Sequence, residues 1–152
     1  MSKMNQAQEI IRLFYENELK TRELYRLYAL KFPEYQGLWD NLARKENDQL
    51  KVLKQLSADS RGGRFVRISE YAWQIIKYVS DFIDRQLTKA KSRRIALKDA
   101  LATALRLEQS ILKKPGELLT PLSLEIESAF NWFKSQSRRH IKKLEQAYDE
   151  VV

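Results

Sequence analysis

Four long stretches of this chain place an apolar residue every three or four positions, and in each of the four the stripe is interrupted near its middle by a polar side chain. The first stripe reads Ile11, Phe14, Glu18, Thr21, Tyr25, Tyr28 and the second Trp39, Leu42, Glu46, Gln49, Leu53. The third reads Leu97, Leu101, Ala104, Glu108, Ile111 and the last Ile126, Phe130, Phe133, Ser137, His140, Leu144. That period is the signature of a helix turning one face to a core, so the chain is expected to be all-α. A bare carboxylate on such a face costs several kcal/mol unless it is paired, protonated or metal-bound. Three acids and the single histidine of the chain therefore call for one shared explanation.

The breakers set the helix limits. With only 4 Gly and 3 Pro in 152 residues, interruptions are few and informative. A first helix is predicted from about Asn5 to Lys31, stopping before Pro33 because the residue preceding a proline is pushed out of the helical region. A second is predicted from near Glu34 to Ser57, antiparallel to the first across a very short connection. Residues 58–64, Ala-Asp-Ser-Arg-Gly-Gly-Arg, read as a loop. An apolar-periodic segment from about Ser69 to Ala90 follows, with Tyr71, Ile75, Val79, Phe82 and Ile83 expected on one side. The next helix is predicted over Ser92 to Lys113, ending at Lys114-Pro115-Gly116. Thr120-Pro121 reads as a cap followed by proline at the first helical position, and the final helix runs to about Glu150. No β signal of any length is present.

The segment between the second and third polar-bearing helices carries no interior acid. About 20 residues at 1.5 Å each span roughly 30 Å, enough to return along a bundle. The expected architecture is one domain over residues 1–152, a four-helix bundle whose two hairpins are joined by a long helical crossover, which is the ferritin-like connection.

Zero cysteines exclude a disulfide framework, thiolate metal sites and iron–sulfur clusters, and they fit a reducing cytoplasm. The first residues lead straight into the amphipathic pattern, so no signal peptide is expected. No run of about 18 apolar residues occurs, so no membrane partner is expected. The formal charge of +8 raises nucleic acid as a partner, but 28 basic and 20 acidic residues are interspersed along every helix, the pattern of a solvated surface. The basic clusters are 61–67, 89–94 and the group Arg138, Arg139, Lys142, Lys143; nucleic acid is not the expected partner. Arg61-Gly62-Gly63-Arg64 lacks the strand and lysine of a phosphate loop, and one histidine with scattered serines makes no catalytic triad.

The ordered polar positions are chemically suggestive. A dinuclear carboxylate site in a bundle takes one Glu from each of two helices and a Glu-x-x-His from each of the other two. The spacing of three aims both side chains at one interior point. This chain offers Glu18, Glu46-x-x-Gln49, Glu108 and Ser137-x-x-His140 in that order. Each has an ordinary alternative: a surface acid on a helix rotated the other way, a neutralising partner such as Arg22 or Lys45, and for His140 a hydrogen-bonded core histidine. Packing is the default for Tyr25, with a hydrogen bond to an interior carboxylate as its alternative.

The surroundings carry a resemblance. Glu18-x6-Tyr25, Tyr28-Ala29, Phe32-Pro33-Glu34, Trp39 and Leu42-Ala43-x-x-Glu46-x-x-Gln49-x3-Leu53 resemble the first hairpin of the rubrerythrin-like branch of the ferritin-like superfamily. Ala96-Leu97-x-x-Ala100-x6-Leu107-Glu108-x-Ser110 looks like that branch's third helix, and His140-Ile141-x-x-Leu144 like the end of its last. The resemblance covers nearly the whole chain and implies a ferritin-like bundle with, in intact members, a di-iron site that reacts with oxygen or peroxide. By those family roles Glu18 and Gln49 would serve one metal position, Glu108 and His140 the other, and Glu46 would bridge. The chain departs from the pattern twice: Gln49 stands where the family has histidine, and Ser137 where it has glutamate. The rubredoxin-like module of classical rubrerythrins needs cysteines, so that electron-delivery route is not expected either. The resulting expectation is a degenerate centre holding one ion, centred on Glu46, Glu108 and His140. Iron is the first choice, with manganese or zinc also suited to carboxylate and imidazole. The alternative expectation is a metal-free bundle serving as an interaction or dimerisation module; a homodimer is the expected assembly.

Overall fold

The computed structural model describes residues 3–58, 66–110, 118–121 and 123–151. Helix α1 (Lys3–Lys31) stops where Pro33 forbids its continuation. One 3-10 turn, Pro33–Tyr35, reverses the chain into α2 (Gln36–Ala58), so the second helix starts two residues later than the periodicity predicts. Tyr28 packs on Trp39, with ring centroids 4.9 Å apart, and Arg22 reaches Asn47 at 2.6 Å. Contacts that advance along α2 as they retreat along α1 make the pair antiparallel, as expected.

Helix α3 (Ala72–Ser92) runs back beside α1. Lys20 bonds Asp84 at 2.9 Å and Glu23 bonds Lys91 at 3.1 Å, so α3 and α1 point the same way. Val79, Phe82 and Ile83 of the expected side are buried, while Ile75 and Tyr71 depart from it. Ala72, Ile76, Val79, Phe82, Ile83, Leu87 and Ala90 are buried, Ile75 is half-buried and Tyr71 is exposed. The segment carries large apolar residues on two sides, and packing buries the side that includes the small Ala72 and Ala90.

The chain then breaks. Arg93, with φ −135° and ψ 158°, ends α3, and Ala96 precedes α4 (Leu97–Glu108). The helix predicted over Ser92 to Lys113 is thus shorter at its start, where 93–96 form an extended corner with Lys31 Nζ on the Arg93 carbonyl at 3.1 Å, and it also stops early, at Glu108, with Gln109 as its cap. Ile111 to Lys113 lie outside the described residues, as does the predicted loop beyond Ala58. The last helix, α5 (Leu124–Val151), begins after Ser123, whose Oγ accepts the Ile126 N–H at 3.2 Å. Glu125 and Glu127 in the first turn suit the positive end of the helix dipole. Thr120-Pro121 is therefore not the start of that helix. Instead β2 (Leu119–Pro121) pairs antiparallel with β1 (Val66–Ile68), with Val66 opposite Pro121. Proline is tolerated at the end of so short a ribbon. This two-stranded ribbon, absent from the sequence reading, ties the connection before α3 to the one before α5.

Glu46 and His140 face each other across α2 and α5, while Lys143 reaches Asn41 at 3.0 Å and Tyr35 reaches Glu150 at 3.3 Å. Thus α5 is antiparallel to α2 and points the same way as α1. Tyr25 meets Glu108 on α4, and all five helices contribute to one hydrophobic cluster. Among the described residues, no helix is long and apolar enough to cross a membrane.

Candidate metal centre

Each interrupted stripe delivers its polar residues to the interior. Glu46, Gln49 and Glu108 have 0% of their surface exposed, Glu18 1% and His140 2%. At that depth a carboxylate has no water to solvate it, so its environment is decided by neighbouring side chains. One oxygen from Glu46 on α2, one from Glu108 on α4 and one ring nitrogen of His140 on α5 lie within 4.8 Å of one another. Three helices, not one loop, hold this triad, so its geometry is set by bundle packing.

Glu108 is the most heavily bonded member. The Tyr25 hydroxyl donates to its Oε1 at 3.0 Å, His140 Nδ1 lies 3.2 Å from the same oxygen, and Ser137 Oγ donates to Oε2 at 3.5 Å. His140 Nε2 has no hydrogen-bond partner among the described residues, so one nitrogen of a buried imidazole is not consumed by the protein. Burial, then the charges of Glu108 and Glu46, push the Tyr25 phenol well above its ordinary value. Tyr25 thus stays protonated and remains a donor toward the centre. Its ring rests against Trp39, centroids 5.9 Å apart, and Trp39 rests on Tyr28; all three rings are buried.

Glu18 and Gln49, the other two sequence candidates, are buried as well but stand outside the triad. Glu18 acts on Tyr25 more weakly than Glu108 and Glu46 do. Gln49 lies one turn along α2 from Glu46. Arg22, a candidate neutralising partner, gives its Nη1 to Asn47. The sequence reading missed Asn17, which is 2% exposed and whose carbonyl accepts from Thr21 Oγ1 at 2.9 Å. The spacing Phe14, Asn17, Thr21 is the signal that could have found it.

The donor set suits one divalent ion. Donors held about 2.1 Å from a common ion lie roughly 3–4 Å apart, so the triad needs only a small contraction. Two carboxylates balance a divalent charge, and imidazole is a borderline nitrogen donor for iron, manganese or zinc. A second ion would have to rely on Glu18, the neutral amide of Gln49 and the hydroxyl of Ser137, a poor set for two dications. No protein-family model matches the chain, and no curated protein or solved structure matches it either.

Proposed function

We propose that this chain is a degenerate rubrerythrin-like member of the ferritin-like superfamily that holds one divalent metal ion in its bundle core. The observation that carries the reading is the convergence of Glu46, Glu108 and His140 from three helices onto one buried point. The helix directions support it: α1 and α5 run one way and α2 the other, α4 opposes α1 because Tyr25 meets Glu108 while Tyr28 meets Thr103, and α3 returns the chain between the hairpins. Glu46 and Glu108 supply charge, and His140 supplies nitrogen. Tyr25 and Ser137 orient Glu108. Iron in such a pocket brings redox reactivity toward oxygen or peroxide, residual here because Gln49 and Ser137 leave the second position without its expected donors. Glu18 and Gln49, buried but outside the triad, are the reserve donors.

Cobalt(II) is the direct test, because its visible absorption reports the ligands it receives. The reading predicts a spectrum of oxygen and nitrogen ligation, saturating near one equivalent and lost in His140→Ala. A spectrum of aqueous cobalt at all ratios would overturn it. A second reading, a metal-free bundle acting as an interaction or dimerisation module, is favoured by one observation: Tyr25, Ser137 and His140 already satisfy Glu108 without a cation. Under that reading the protein titrates no metal and associates as a dimer.

A further inference from the structure

Away from the triad, the corner between α3 and α4 borders a half-open cavity of about 350 Å³, within the range of roughly 300–1,000 Å³ for small-molecule sites. Its deep side is apolar: Phe82, Ala100 and the ring of Tyr28 are buried, and Ile95 is half-buried. Its outer side is charged. Lys89 and Arg106 line it against one acid, Asp99, and none of these three makes an ion pair among the described residues. The exposed Arg93, Arg94 and Lys98 flank the same corner and add to its positive potential.

Arg106 is already fixed in place. Its guanidinium carbon lies 4.7 Å from the centre of the Phe82 ring, and Nη2 donates to the Tyr78 hydroxyl at 3.2 Å. A guanidinium has five N–H donors, and among the described residues Arg106 uses one of them, on Tyr78. A guanidinium fixed in this way is the preorganised fork that matches a carboxylate, and fixing it beforehand lowers the ordering cost of binding. One turn before Arg106, the Thr103 hydroxyl donates to Gln86 Oε1 at 3.4 Å, which adds a neutral polar pair to the lining.

We propose that this cavity binds a small organic monocarboxylate, its apolar body seated on Phe82, Ile95 and Ala100 and its carboxylate held by Arg106 and Lys89. Two cations against one acid balance a single negative charge. The apolar depth favours a hydrocarbon or aromatic body over a bare oxyanion, and the net positive lining disfavours an amine. The proposal is independent of the metal reading and applies to the protein with or without an ion.

The test is a ¹H–¹⁵N NMR titration of the full chain with benzoate and hexanoate, with benzylamine and inorganic phosphate as controls. The expected result is saturable shifts centred on Phe82, Ile95, Thr103 and Arg106 for both acids and none for benzylamine. Arg106→Gln and Lys89→Gln, both at exposed positions, should each weaken benzoate binding about tenfold. Ala102→Phe, which fills the cavity from an exposed position on α4, should abolish it while leaving a dispersed spectrum. Absence of saturable shifts at this corner, or wild-type affinity in both charge variants, would overturn the proposal. Tighter binding of phosphate than of benzoate would contradict the carboxylate assignment.

Discussion

The Tyr25 hydroxyl and Glu108 Oε1 are 3.0 Å apart although their residues are separated by 83 positions. This bond joins α1 to α4 at the level of the triad and holds the carboxylate that also contacts His140. A neutral donor to a buried carboxylate serves two ends: it offsets the cost of burying charge, and it fixes the oxygen that a cation would meet.

Tyr25→Phe removes that donor and leaves Glu108 short of one bond in a dry site. The expected loss is about 1–3 kcal/mol, read from urea denaturation of the metal-free protein. An unchanged midpoint would mean that the bond does not form in solution.

Glu46→Gln keeps the shape of the side chain and removes one of two carboxylates whose oxygens lie within 4.8 Å. Like charges that close oppose each other's ionisation, so the metal-free variant should be at least as stable as wild type. Metal-linked stabilisation should move the other way. A ligand at 100 times its dissociation constant stabilises by about 2.7 kcal/mol; that increment should nearly vanish in the variant. Comparing denaturation curves with and without manganese measures both effects at once.

Alkali should weaken the fold. Burial pushes Tyr28 up to about 12, with Thr103 pulling the other way, and Tyr25 is pushed well above its ordinary value. In the unfolded chain tyrosines ionise near about 10. The fold therefore favours the protonated phenols: their contribution is complete below about pH 10 and is lost as pH rises through the folded values. Tyr28→Phe should remove on the order of 2 kcal/mol of that alkaline loss. Urea unfolding at pH 8 and pH 12 should thus show a shallower decline in the variant than in wild type.

The phase of α3 has its own test. Ile76 is 1% exposed and Tyr71 59%. Ile76→Ala should cost about 2–5 kcal/mol, whereas Tyr71→Ala should fall within about 0.5 kcal/mol of wild type. A large loss at Tyr71 with a small one at Ile76 would place the helix in the rotation expected from sequence.

The stripes of α1, α2 and α5 are legible because every one of their members, polar or apolar, points inward; Phe14, Glu18 and Tyr25 obey one period. In α3 the period is ambiguous, since Tyr71, Trp73 and Tyr78 are apolar yet exposed, and only packing against α1 decides. The pairing of Ile68 with Leu119 is a contact between distant segments of three residues each, too short for alternation to register. The burial of Glu18, Glu46, Glu108 and His140 follows from helical spacing alone. Their separations do not, because rotation and height of each helix in the bundle determine that Glu46, Glu108 and His140 meet while Glu18 stays outside the group. The hydrogen bond of Tyr25 is of the same kind: its spacing makes it interior, and only the position of α4 gives it a partner.

Elemental analysis of the purified, untagged protein after anaerobic reconstitution with iron, manganese and zinc tests the central claim most directly. The account predicts about one ion per chain, retained through desalting and lost in His140→Ala. A wild-type protein that retains no ion of the three would contradict it, and would leave Glu46, Glu108 and His140 as a hydrogen-bonded core cluster.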